Sequence, residues 1–194
     1  GKSRLLQELK RRLQLRGTPV AVVDPQRGEP LAELSNLLSL FDQTEPRRGQ
    51  ERGSHIVSRL VNRTWEFSQL GGLVLLLDNL HSWDDLGRSF VQELMNRLDY
   101  DRQHGDESPQ LALVFAFTPA SHNKEPLTLP ADSQTVQLTP LTSADTQRLL
   151  SVILGTSTVP DELIREVHGA TEGNPRLVVD TVVYLRQHNA LATT

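Results

Sequence analysis

The sequence has no cysteine among its 194 residues, so disulfides and thiolate metal sites are excluded. Long apolar runs are also missing: no run approaches the ~18 residues of a membrane span. Basic residues number 20 against 24 acidic ones, and this balance argues against a dedicated nucleic-acid-binding domain. No internal repeat or low-complexity tract is present. We therefore expect a soluble, cytoplasmic globular protein that contacts no membrane.

A local basic cluster departs from this acidic balance. It consists of Lys10, Arg11, Arg12 and Arg16 and lies at the end of a predicted helix. Cations at this position complement the helix dipole, so a solvated helix end explains the cluster. A nucleic-acid patch is the alternative, and we do not expect this segment to bind nucleic acid.

Apolar periodicity along the chain predicts alternating helices and strands, which is typical of a parallel sheet with helices on both faces. The predicted helices are 3–15, 31–41, 55–69 and 84–98, the strands are 20–23, 73–78, 111–117 and 135–138, and the longer loops are 42–53 and 99–110. After Pro140 only helices are predicted, at 143–154, 161–168 and 174–188. We therefore expect two domains, an α/β core over 1–139 and a small helical domain over 140–194.

The chain opens with Gly1-Lys2-Ser3, which runs directly into the first predicted helix. These are the last three residues of the phosphate-binding motif G-x-x-x-x-G-K-[ST], whose lysine reaches the β/γ-phosphates and whose hydroxyl ligates Mg²⁺. Three residues are weak evidence, because Ser3 can also simply cap the helix. If the motif is real, its glycine-rich half and the strand before it lie upstream of Gly1.

A second motif is the apolar strand 73–77 followed by Asp78. An aspartate there lies at the carboxyl end of a parallel sheet, where α/β proteins bind ligands, and it can hold Mg²⁺ directly or through water. A buried strand followed by a turn aspartate is the alternative. In the segment that follows, Ser82 and Asp85 have the spacing of a helix-capping box, and His81 and Trp83 are explained equally well as packing residues.

A third motif, Gly173-Asn174-Pro175, precedes the last predicted helix. Asn174 as the helix cap with Pro175 at the first helical position accounts for it locally. Each of the three motifs therefore has a purely structural explanation. Their common order and spacing along one chain are not explained by these local structural roles.

The ordered set GKSRLL, LVLLLDNLHSWDD, LALVFAFTPA, VQLTPLT and TEGNPRLVV resembles the STAND-type ATPases related to the AAA group. These are regulatory modules of large bacterial signalling proteins, and they resemble origin-recognition initiator ATPases more distantly. The resemblance covers nearly the whole chain. It implies a P-loop NTPase core of three layers, followed by a helical lid, that binds ATP or ADP with Mg²⁺.

The resemblance also implies roles for individual residues in the core. Gly1, Lys2 and Ser3 match the end of the phosphate-binding loop, with Ser3 and Asp78 as Mg²⁺ ligands. Asn79 stands at the position of a second, catalytic acid.

Two further core positions and the lid are assigned in the same way. His81 and Asp84 match a histidine and a closing aspartate of the family's segment after the strand. Thr118 matches a sensor of the γ-phosphate. Gly173, Asn174 and Pro175 match a lid motif whose proline packs near the nucleotide base.

Three departures from the family pattern bear on hydrolysis. Asn79 cannot accept a proton from water as a carboxylate can. Trp83 stands one place later than the family's tryptophan, and Thr118 replaces an arginine. The expected function is thus an ATP/ADP-dependent regulatory switch with slow or absent hydrolysis, whose partners are nucleotide, other domains of a larger protein and, depending on nucleotide, further copies of itself. A non-hydrolysing interaction scaffold and a DNA-replication initiator ATPase are the alternatives.

Overall fold

A computed structural model describes residues 1–25, 29–42, 53–104, 110–118, 127–188 and 190. These residues form a mixed α/β structure with a three-stranded parallel sheet and seven α-helices, which confirms the expected α/β class. The helices are α1 (Lys2–Leu15), α2 (Pro30–Asp42), α3 (Gly53–Gly71), α4 (Asp85–His104), α5 (Ser143–Leu154), α6 (Asp161–Thr171) and α7 (Pro175–Gln187); the strands are β1 (Val20–Val23), β2 (Leu73–Leu77) and β3 (Leu111–Phe115).

The chain divides into two compact units, one of Lys2–Gln134 and one of Gly1 with Thr135–Thr194. The first unit contains the sheet, whose strand order is β1-β2-β3. Val23 is in register with Leu77, and Leu77 with Phe115, so the three strands end at nearly the same level. Whatever follows these strands therefore meets at one edge of the sheet.

Both faces of the sheet are covered within the first unit, which explains why β2 reads as an unbroken apolar run. On one face, Ala21, Leu75 and Leu77 pack with buried residues of α2, α3 and α4. On the other face, Leu6 of α1 packs with Leu76. This gives three layers, helix, sheet and helices.

The apolar positions whose helical spacing predicts α1, α3 and α4 are buried or half-buried, with two exceptions; they are Leu5, Leu6, Leu9 and Leu13 in α1, Ile56, Val57, Leu60, Val61 and Trp65 in α3, and Leu86, Phe90, Leu94 and Leu98 in α4. In α3 the stripe from Val57 to Trp65 is buried as expected. In α1, however, Leu5 is 52% exposed, and in α4 Leu86 is 41% exposed. Both lie in the first turns of their helices, where a residue of the right period can still point away from the sheet.

Two of the predicted elements, a strand and a loop, differ from the structure. Residues 135–138 form no strand in the described part of the chain, and Val136 is 77% exposed. A strand requires a ladder of backbone hydrogen bonds to a neighbouring strand, and the sheet of the described residues consists of β1, β2 and β3 alone. The predicted loop 99–110 begins as helix, because α4 continues to His104 with Gln103 bonded to Asp99 one turn back. Most of the predicted loop 42–53 lies outside the described residues.

The second unit contains α5, α6 and α7, which pack around one small apolar core. Helix α5 begins at a capping interaction in which Thr142 accepts a hydrogen bond from the Asp145 backbone at 3.1 Å. The Thr142 hydroxyl also donates to the Asp145 carboxylate at 2.6 Å, which lowers the pKa of that carboxyl. Across both units, no helix among the described residues has the length and apolar character needed to span a membrane.

Candidate functional site

The amino terminus of α1 lies at the carboxyl edge of the sheet. Leu6, one turn into the helix, packs against Leu76 near the end of β2 and Ala116 just after β3. Lys2 and Ser3 precede Leu6 by one turn, so the packing of Leu6 directs the start of the helix toward this edge. A helix begins there with unpaired backbone N–H groups and the positive end of its dipole, which together favour an anion.

Asp78 follows β2 directly and is anchored at the same edge. Its side chain is buried, with only 5% of the residue exposed. Its backbone N–H donates to the Val23 carbonyl at 2.9 Å, and its own carbonyl accepts from the indole of Trp83 at 2.9 Å. One carboxylate oxygen accepts from the Asn79 N–H at 2.8 Å. The carboxylate is therefore held in one place, as a ligand for a cation must be.

Asn79 adopts a left-handed backbone conformation, with φ 49° and ψ 38°. This region is unfavourable for most residues but tolerated by asparagine, whose short polar side chain forms local hydrogen bonds. Here the side-chain amide donates to the Asp24 carboxylate at 3.2 Å. The next residue, Leu80, donates its N–H to the Ala116 carbonyl at 2.9 Å, so the segment after β2 is bonded to both neighbouring strands.

Trp83 fixes the turn between β2 and α4 by its burial and by its hydrogen bond to the Asp78 carbonyl. Trp83 is fully buried, and an added Cβ at Gly87 would lie only 2.9 Å from its ring. Asp84 caps α4, because its carboxylate accepts from the Gly87 N–H at 2.8 Å. The predicted capping box is therefore wrong: Ser82 instead donates to the Asn79 carbonyl at 2.8 Å. Asp84 thus has a structural role at the start of α4.

Two other predicted positions lie near the same edge. Thr118 comes three residues after the end of β3, which is two residues shorter than expected. His81 lies in a short 3-10 turn, Leu80–Ser82, and its Nδ1 is buried without a hydrogen-bond partner among the described residues.

The predicted lid residues belong to the second unit and form a tight helix-to-helix turn. Glu172 and Gly173 are both left-handed, with φ 49° and 71°. The Asn174 side chain caps α7 by accepting from the Arg176 N–H at 3.0 Å, and Pro175 occupies its first turn. Gly173 also accepts a hydrogen bond from the Leu141 N–H at 2.8 Å. These contacts account for the motif locally.

Sequence reasoning missed Asp24 and Glu33. Asp24 follows β1 just as Asp78 follows β2, and the register of Val23 with Leu77 places the two at the same level of the sheet. Glu33, in the first turn of α2, accepts from the Asp24 N–H at 3.0 Å. The available signal was the same as for Asp78, an apolar run that ends in an acid.

The basic cluster on α1 is partly neutralised on its own helix. Arg12 contacts Glu8 at 2.8 Å and Arg11 contacts it at 3.2 Å. The hydrogen bonds from Arg12 and then Arg11 lower the pKa of Glu8. These i,i+3 and i,i+4 pairs are the contacts of a solvated helix face.

The oxygen donors at this edge suit Mg²⁺. A hydroxyl and one fixed carboxylate, at Ser3 and Asp78, match an ion that binds one or two protein ligands together with substrate phosphates. Among the described residues no group of three His, Cys, Asp or Glu side chains could hold a metal. A site built entirely from protein side chains is therefore not found in that part of the chain.

No protein-family model and no curated protein matches this chain.

Proposed function

We propose that this chain is an ATP- or ADP-binding regulatory module of the P-loop NTPase type. The observation that carries the proposal is the packing of Leu6, one turn into α1, in one cluster with Leu76 and Ala116, because it places the start of the helix toward the sheet edge where the buried Asp78 follows β2. The helix amino terminus and the lysine provide positive potential for phosphates. Ser3 and Asp78 would hold Mg²⁺, which when bound neutralises phosphate charge.

Slow or absent hydrolysis is part of the proposal. Asn79 donates its amide to Asp24 and offers no proton-accepting group where a second acid is expected. A general base contributes about 10²–10⁴-fold to such a reaction. Binding without rapid turnover suits a switch, whose bound nucleotide must persist long enough to bias other domains or self-association. A scaffold that does not hydrolyse is the second candidate, supported by the same amide.

The test compares two lysines of the same helix. We expect Lys2→Ala to abolish binding of a fluorescent ATP analogue by the full natural chain in the presence of Mg²⁺, because its ammonium is the point charge facing the phosphates. The matched control is Lys10→Ala, two turns further along α1, which removes the same charge and should leave affinity within about twofold, since charges about a Debye length apart are largely screened by salt. Equal affinity in the wild type and Lys2→Ala would refute the proposed site.

A further inference from the structure

Asp24 and Asn79 form a pair of an acid and an amide, in which the acid follows the neighbouring strand, β1. An ionised carboxylate only accepts hydrogen bonds, so the side-chain NH₂ of Asn79 must face Asp24, as the 3.2 Å contact shows. The position after β2 where an acid is expected thus carries an amide, that of Asn79. The carboxylate in hydrogen-bond contact with it belongs to Asp24, which follows β1.

Asp24 is held at the edge by more than this one contact. Its backbone N–H donates to Glu33 at 3.0 Å, and the residue before it, Val23, accepts from the Asp78 N–H at 2.9 Å. The backbone of Asp24 is therefore tied to α2 on one side and to the segment after β2 on the other. Asn79, fixed by its own left-handed turn, donates to one oxygen of the Asp24 carboxylate and so helps to orient it.

We propose that Asp24 is the catalytic acid of this site and serves as the general base for the slow hydrolysis of ATP, with Asn79 as its positioning residue. This inference rests on the proposed function. A water molecule gives a proton to the Asp24 carboxylate while its oxygen attacks the γ-phosphorus. The bond from that phosphorus to the β–γ bridging oxygen breaks, ADP leaves with the electron pair, and the proton is released afterwards to solvent.

The test exchanges the acid and the amide. In the full natural chain, Asp24→Asn should lower phosphate release at saturating ATP by at least tenfold, while affinity for a fluorescent ATP analogue stays within about twofold. The double variant Asp24→Asn/Asn79→Asp keeps one carboxylate and one amide in hydrogen-bonding range, and both residue types tolerate the left-handed backbone at position 79. It should recover most of the lost turnover. Glu66→Gln on α3 is the control, because it removes one exposed carboxylate outside the site, and its turnover should stay within about threefold.

The outcomes separate this inference from the proposed function. If the wild type binds the analogue but Asp24→Asn turns over as fast as it does, or if the wild type releases no phosphate, the role of Asp24 is wrong and nucleotide binding stands. Loss of affinity together with turnover in Asp24→Asn, without recovery in the double variant, would show a structural role and would also overturn the inference. If the wild type does not bind the analogue, the proposed function itself fails.

Discussion

Gly173 offers a quantitative test of how the second unit is held together. An alanine Cβ there would fall well inside the contact distance of the Leu141 carbonyl oxygen and 3.0 Å from its nitrogen. The backbone is also left-handed, at φ 71°. The matched control is Gly155, at φ 71° after α5, where an added Cβ meets nothing within 4 Å. The two alanine variants share the backbone penalty and differ in the clash.

The expected magnitudes follow from these two terms. Gly155→Ala should cost roughly 1–2 kcal/mol, the penalty of an L-residue in the left-handed region. Gly173→Ala should cost about 3–6 kcal/mol, because overpacking adds about 1–3 kcal/mol and the bond from the Leu141 N–H adds about 1 kcal/mol when it breaks.

Hydrogen exchange resolved by peptide measures the opening free energy of α5 and α7 directly, without requiring that the whole chain unfold in one step. If Gly173→Ala lowered protection of these helices no more than Gly155→Ala does, the close approach to Leu141 would not be present in the protein.

Two further predictions concern the first unit and the response to nucleotide. Gly87→Ala should lower the free energy of unfolding in urea by about 1–3 kcal/mol, although alanine is normally the better helix former, because the new methyl group meets the ring of the buried Trp83. The control is Gly71→Ala, where an added Cβ meets nothing within 4 Å and stability should be unchanged or higher. Equal stability of the two variants would contradict the close packing of Gly87 on Trp83. If the proposed switch operates, nucleotide should slow hydrogen exchange over 172–179 in the full natural chain more than over β2. Pro175→Ala should weaken this response while the fold persists. Unchanged exchange over 172–179 would exclude the switch but would not affect the description of the fold.

Secondary structure could be predicted where local pattern decides it. The β2 run is apolar at every position because both faces are covered, and the stripe of α3 has the period of a helix packed on one side. Residues 135–138 (TVQL) alternate polar and apolar side chains, which is a strand pattern. Their conformation depends on a neighbouring strand, which the local sequence cannot reveal, and that is why the prediction was wrong.

The site was predictable in its charged residues but not in their pairing. Asp78 could be found because an acid ends an apolar run. The contact between Asn79 and Asp24 depends on the register of β1 with β2 and on a left-handed turn, and neither is encoded in a spacing along the chain. The cap of α4 by Asp84 was missed for a related reason: Ser82 and Asp84 are both good capping residues, and the Ser82 hydroxyl is engaged by the Asn79 carbonyl, a contact that the spacing does not reveal.

The left-handed backbone at Asn79 also limits how this position can change during evolution. Glycine, asparagine and aspartate are tolerated there at little cost, whereas glutamate would carry a penalty of roughly 1–2 kcal/mol. Glycine would lose the amide that contacts Asp24. Aspartate at position 79 would place a second carboxylate beside that of Asp24, and the two like charges would repel each other unless Asp24 changed as well. A lineage that gains an acid at position 79 is therefore expected to change both residues together, and the pair should vary as a unit among descendants of this sequence.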